Sequence, residues 1–128
     1  MSFEEVEILK ERAEAFLKNA KRLIDEKVWD LAAFNLEQYR QLLLKYKLLI
    51  KTGTYPRTHS IIRLLYELSK LEPKLNDLLN NENNIIFLTK IEDAYIGSRY
   101  LPRKYEEKEV IAILKFIEEV FKVYVERI

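Results

Sequence analysis

Apolar side chains return along the first part of the chain at spacings of three and four residues, as Val6, Leu9, Ala13, Phe16, Ala20 and Leu23. Glu, Lys, Arg and Asn fill the gaps. That spacing lines one face of an α-helix and predicts a first helix from Phe3 to Lys27. Ser2 followed three residues later by Glu5 reads as a capping box at its start. The pattern resumes through Trp29, Ala32, Leu36, Tyr39, Leu43, Tyr46 and Ile50, predicting a second helix from Trp29 to Lys51. This segment also carries Leu31, Phe34, Leu42 and Leu49 on other faces, so it must be covered on more than one side, which places it at the centre of the fold.

Gly53 and Pro56 break the periodicity, and Arg57 or Thr58 opens a third helix bearing Ile61, Leu64, Leu65, Leu68 and Leu71. Pro73 interrupts or kinks it, with Leu75, Leu78 and Leu79 as a short continuation. The Asn-rich stretch from Asn80 to Asn84 is a turn, because Asn side chains readily cap or bend the backbone. A fourth helix is predicted from Glu82 to Ser98, bracketed by Gly97 and Pro102. The last, from Glu106 to Arg127, sets Val110, Ile113, Leu114, Ile117, Val120, Phe121 and Tyr124 inward. Glu106, Glu107 and Glu109 give its first turn the sign that the helix dipole favours. Short connections imply antiparallel neighbours, so the expectation is an all-α, five-helix antiparallel up-and-down bundle forming one domain over residues 1–128.

Composition narrows the chemistry. With 22 basic and 21 acidic residues the net charge is +1, so bulk charge gives no support to a nucleic-acid binder; any such surface must be local. The absence of Cys removes disulfides, thiolate metal sites and cysteine nucleophiles, and points to a reducing cytoplasm. No stretch reads as a signal peptide or a membrane span. Abundant Lys and Glu with few Gly carries a thermophile-like signature. His59 is the single histidine, which argues against a His-based metal site, and no nucleophile elbow or Gly-rich phosphate loop occurs. No cofactor, metal or catalytic residue is expected.

Two clusters mix cations with aromatic rings. One joins Lys45, Tyr46, Lys47 and Lys51 to Tyr55, Arg57, His59 and Arg63; the other joins Tyr95, Arg99, Tyr100, Arg103, Lys104 and Tyr105. Such mixtures suit nucleotides or single-stranded RNA, with cations on phosphate and rings on bases. Spacing alone favours another arrangement, in which the rings fill the ends of a bundle while the cations reach outward to water.

Three stretches resemble the HEPN domain, a helical bundle often encoded beside minimal nucleotidyltransferases in archaea and bacteria. Ala32 to Gln38, running on to Lys45, is similar to that family's central helix. Thr58-His59-Ser60 followed by Leu64-Leu65 resembles its Thr-His-Asp and paired-leucine element. Ser98-Arg99-Tyr100-Leu101-Pro102 resembles its Arg-Tyr-Pro stretch. The sequence departs from the pattern at Gln41, often Glu in the family, at Ser60, often Asp, and at Leu101, which intervenes before Pro102. The ribonuclease branch carries an Arg, then four to six residues, then a His; here Thr52, Gly53 and Thr54 occupy the positions of that Arg.

The resemblance implies a non-catalytic nucleotide- or RNA-binding accessory domain paired with a minimal nucleotidyltransferase in a toxin–antitoxin-like arrangement; the multi-faced apolar second helix adds the expectation of a homodimer, the commonest symmetric association. By analogy with kanamycin nucleotidyltransferase, the helical piece would cover one side of a nucleotide site. It also implies the site residues: Lys45 and Arg99 on phosphate, Tyr100 stacking or packing, and His59 donating a hydrogen bond. Two other readings compete, a helical dimerisation or protein-interaction module and, more distantly, an atypical ribonuclease using His59.

Overall fold

The computed structural model describes residues 3–89 and 104–128, and all its regular structure is helical. The first helix, α1 (Phe3–Asp25), buries Ala13, Leu17, Ala20 and Leu23. Val6, Leu9 and Phe16 lie at the edge of the buried stripe. The Ser2 cap lies outside the described residues.

The turn after α1 is stopped by a non-glycine residue in the left-handed region, Lys27 (φ 61°). Val28 N–H reaches back to Leu23 O (2.9 Å) and Lys27 N–H to Ile24 O (3.0 Å), the paired bonds that close a helix C-terminus. A side chain costs about 1–2 kcal/mol in this conformation and glycine does not. Lys27→Gly is therefore expected to raise the unfolding free energy by about 0.5–1 kcal/mol, read as a higher denaturant midpoint at unchanged slope.

The second helix, α2 (Trp29–Thr52), is central, packing against α1, α3 and the C-terminal helix. Leu36, Leu44 and Ala32 are fully enclosed, while Leu31 and Ile50 stand about half exposed. Asn19 of α1 donates to Asn35 of α2 (3.0 Å), which sets the two helices in antiparallel register. Gly53 ends α2 in the left-handed region (φ 83°), its N–H on Leu49 O.

Helix α3 (Ile61–Ser69) begins later than expected. Ser60 is its N-cap, the hydroxyl accepting from Arg63 N–H (3.2 Å), so Arg57, Thr58 and His59 belong to the preceding loop. Ile61, Leu64, Leu65 and Leu68 are all buried. The chain breaks ahead of Pro73 and resumes as the short α4 (Leu75–Leu79), which buries Leu75 and Leu78. Asn81 then caps helical residues 82–89, its Oδ1 accepting from the N–H groups of Asn83 (2.9 Å) and Asn84 (3.4 Å). The remainder of the predicted fourth helix lies outside the described residues.

The C-terminal helix runs as Glu107–Phe116, a π-helical stretch Ile117–Phe121, and Lys122–Glu126. Glu106 and Glu109 form a capping box at its start. The wider π turn shifts every later residue one place around the helix axis. The core positions therefore become Val110, Ile113, Phe116, Ile117, Phe121 and Val125, instead of continuing through Val120 and Tyr124. Lys21 of α1 pairs with Glu118 (2.9 Å) on this stretch. Among the described residues no helix is long and apolar enough to cross a membrane.

Candidate functional site

Because α2 is covered on more than one side, some polar residues in its middle are turned into the core, while Gln38 stays half-buried. Glu37 and Arg40 are fully buried and Gln41 nearly so. Glu37, Gln41 and Lys45 recur at intervals of four, forming one stripe along the helix. The loop that follows Gly53 folds back over that stripe.

Gln41 is the pivot. Its Nε2 donates to Glu37 Oε1 (2.8 Å) and to the backbone carbonyl of His59 (3.2 Å). With both amide hydrogens directed at acceptors, its Oε1 is the acceptor that faces His59 Nδ1 (3.0 Å). His59 Nδ1 must then carry the proton. In the neutral ring this leaves the lone pair on Nε2, and His59 as a whole is an exposed residue. The flanking hydroxyls fix the backbone: Thr58 Oγ1 accepts from Ser60 N–H (3.1 Å), and Ser60 caps α3. One glutamine thus holds both the ring and the main chain of the sole histidine.

One turn along, Lys45 sets its ammonium 5.5 Å from the centre of the Tyr55 ring. Partial burial lowers its pKa from the ordinary lysine value, since burial favours the uncharged form. A bound anion would favour the charged form, and the half-buried ammonium of Lys45 would meet it with part of its hydration already removed.

Beneath this face lies Arg40. Its guanidinium carbon sits 3.2 Å from the centre of the Phe121 ring and 5.7 Å from that of Phe116, whose ring stacks on Phe87 at 5.1 Å. None of its three nitrogens has a hydrogen-bond partner among the described residues. Burial pushes its pKa well down, and the nearby charge of Glu37 opposes that shift.

Of the residues singled out in the sequence, Lys45 and His59 are brought to the same loop-covered face of α2. Arg99 and Tyr100 lie outside the described residues, as do Tyr95 and Arg103. The first basic-aromatic cluster does not form a single patch. Lys51 pairs with Glu72 (2.7 Å), and Lys47 reaches the carbonyl of Glu126 (3.4 Å), where it satisfies a helix C-terminus. Burial and the neighbouring Lys51 lower the pKa of Lys47. Tyr105 of the second cluster is buried, its N–H donating to Asp30 Oδ1 (2.7 Å). Sequence reasoning missed Glu37 and Arg40; the available signal was their place in a stretch flanked by Leu36, Tyr39, Leu43 and Leu44, where no solvated face exists.

Compared with known families, the chain matches the model of the HEPN domain over residues 6–128. It belongs to the HEPN domain family. Comparison with curated proteins returns no match. Within the HEPN frame, the Gln41–His59 pair joins the central helix to the loop ahead of the third. Among the described residues no group of His, Asp and Glu has the makings of a metal site.

Proposed function

We propose that this HEPN chain is a non-catalytic accessory domain that binds a nucleotide or RNA beside a nucleotidyltransferase partner in a toxin–antitoxin-like pair. In this reading residues 1–128 form one domain, a five-helix antiparallel bundle, which works in the cytoplasm as a homodimer. The observation that carries the reading is the Gln41-anchored His59 set on the same α2 face as Lys45 and Tyr55. In the neutral ring held by Gln41 the Nε2 of His59 is an acceptor, suited to a base N–H or a ribose hydroxyl in place of the donor role that the resemblance implies. A half-buried ammonium meets phosphate, and Tyr55 presents an aromatic surface. Arg99 would add a second phosphate contact and Tyr100 a stacking ring.

Non-catalytic action is supported by the sequence, which lacks the Arg that precedes the family's ribonuclease His. Half-exposed Leu31 and Ile50 on α2 supply apolar surface for self-association. Calorimetric titration with ATP, GTP and a short single-stranded RNA tests the reading. The parent chain should bind at least one of them, and Lys45→Ala should weaken that affinity by about tenfold, the value of one lost charge-assisted contact. The RNA should be recovered intact. No affinity for any of the three, with or without a transferase partner, would leave a dimerisation module; cleavage lost in His59→Ala would instead make the chain a ribonuclease.

A further inference from the structure

We infer that the groove between α1 and α2 is a second ligand site, one that takes a planar heteroaromatic ring bearing an anionic group, of the mononucleotide class. It rests on the nucleotide-binding reading above but occupies a different face. The groove is open to solvent and has a volume of about 770 Å³, within the size range of small-molecule pockets. Arg12, Phe16 and Asn19 line it from α1, and Asn35, Gln38 and Leu42 from α2. In each helix the first and last of these residues lie seven positions apart, a length of about 10 Å.

The antiparallel register gives the groove two chemically distinct ends. At one, Asn19 Nδ2 donates to Asn35 Oδ1, Asn35 Nδ2 donates to Leu31 O (2.7 Å), and Arg22 holds Asn19 Oδ1. Each amide nitrogen spends one hydrogen in this chain and keeps a second. Asn35 is itself only 6% exposed, so the edge is preorganised at little entropic cost. At the other end stands Arg12, which, like Gln38, has no side-chain partner among the described residues. Between them Phe16 and Leu42 give apolar walls, and the Gln38 carboxamide offers a donor and an acceptor side by side. Carboxamides match the paired donor and acceptor of a base edge, an aromatic wall takes the ring face, and a guanidinium takes phosphate at the far end.

Arg12 also lines a smaller hollow with Leu9 and Tyr55. Tyr55 is the ring that Lys45 overlies, so the groove opens toward the Lys45–His59 face and a ligand's phosphate would emerge there. Nothing in the sequence pattern marks this feature, because Arg12, Asn19 and Gln38 look like ordinary solvated positions.

The test is titration of the full chain with AMP, GMP, CMP and UMP, followed by calorimetry and by the side-chain amide signals of Asn19, Asn35 and Gln38. Arg12→Ala should weaken all four by about tenfold, and Gln38→Ala should change the order of preference among the bases. Arg12 is exposed and Gln38 half-buried, and circular dichroism checks that the variants fold. Mononucleotides that move none of the three amides, or that bind both variants as they bind the parent, would overturn the groove assignment. Failure there leaves the Lys45 response to single-stranded RNA still readable, so the two readings fall separately.

Discussion

Arg40→Ala is expected to destabilise the fold by about 3–5 kcal/mol, a large share of the total stability of a domain this size. Two effects add. Truncation removes the side chain that fills the space beneath Phe121 and Phe116, which opens a cavity in close-packed surroundings. It also removes the charge opposite buried Glu37, whose field is the carboxylate influence on the guanidinium. Replacing both charges distinguishes these effects: Glu37→Gln with Arg40→Met keeps the volume and leaves no buried charge. That double variant should recover most of the loss, because it removes two buried charges that form no direct ion pair with each other, and buried charges exchanged for neutral groups of similar shape are often neutral or stabilising. Chemical denaturation measures all three chains. A cost below about 1 kcal/mol for Arg40→Ala would mean that the guanidinium is solvated in solution and not held against the rings.

Gln41→Leu should be the second large effect, and it separates stability from binding. The substitution is close in volume and keeps α2 helical, but deletes the donor to Glu37 Oε1, the donor to His59 O and the acceptor for His59 Nδ1 at once. Loss of a donor to a buried carboxylate is expected to cost about 2–3 kcal/mol. The loop from Gly53 to Ser60 loses its link to α2 at His59 and should gain hydrogen-exchange rate, while the buried leucines of α3 keep theirs. Affinity for single-stranded RNA should fall more than in Lys45→Ala, since the loop as well as one contact is released. Unchanged exchange at residues 57–60 would contradict the role assigned to Gln41.

Helix placement was legible because apolar periodicity is strong in α1 and α2. The boundaries Phe3–Asp25 and Trp29–Thr52 differ from the expected ones by a residue or two. The misses have local causes. Ser60 took the N-cap of α3, and that moved His59 from a helix into a loop, where its main chain became available to Gln41. The π turn at Ile117–Phe121 displaced the inward face of the last helix, an event that a regular periodicity cannot register. Of the candidate site, Lys45 and His59 were found by resemblance, whereas spacing alone grouped them with Lys47 and Lys51, which Glu126 and Glu72 occupy instead. Gln41 stood out as a departure from the family pattern. Its role became visible once the loop was seen lying across α2: a neutral amide can bridge a buried carboxylate and an imidazole, donating to one and accepting from the other, which a second carboxylate cannot do without taking up a proton.

The chain has a single histidine, so the imidazole carbon and nitrogen resonances of His59 are unambiguous reporters of the central claim. The measurement is an NMR titration of those signals with short single-stranded RNA. In the free chain the nitrogen shifts should show the proton on Nδ1, held by Gln41, and addition of RNA should move the Nε2 signal saturably while the RNA stays uncut. RNA that binds without perturbing His59, or a ring that shows no fixed tautomer before binding, would contradict the account.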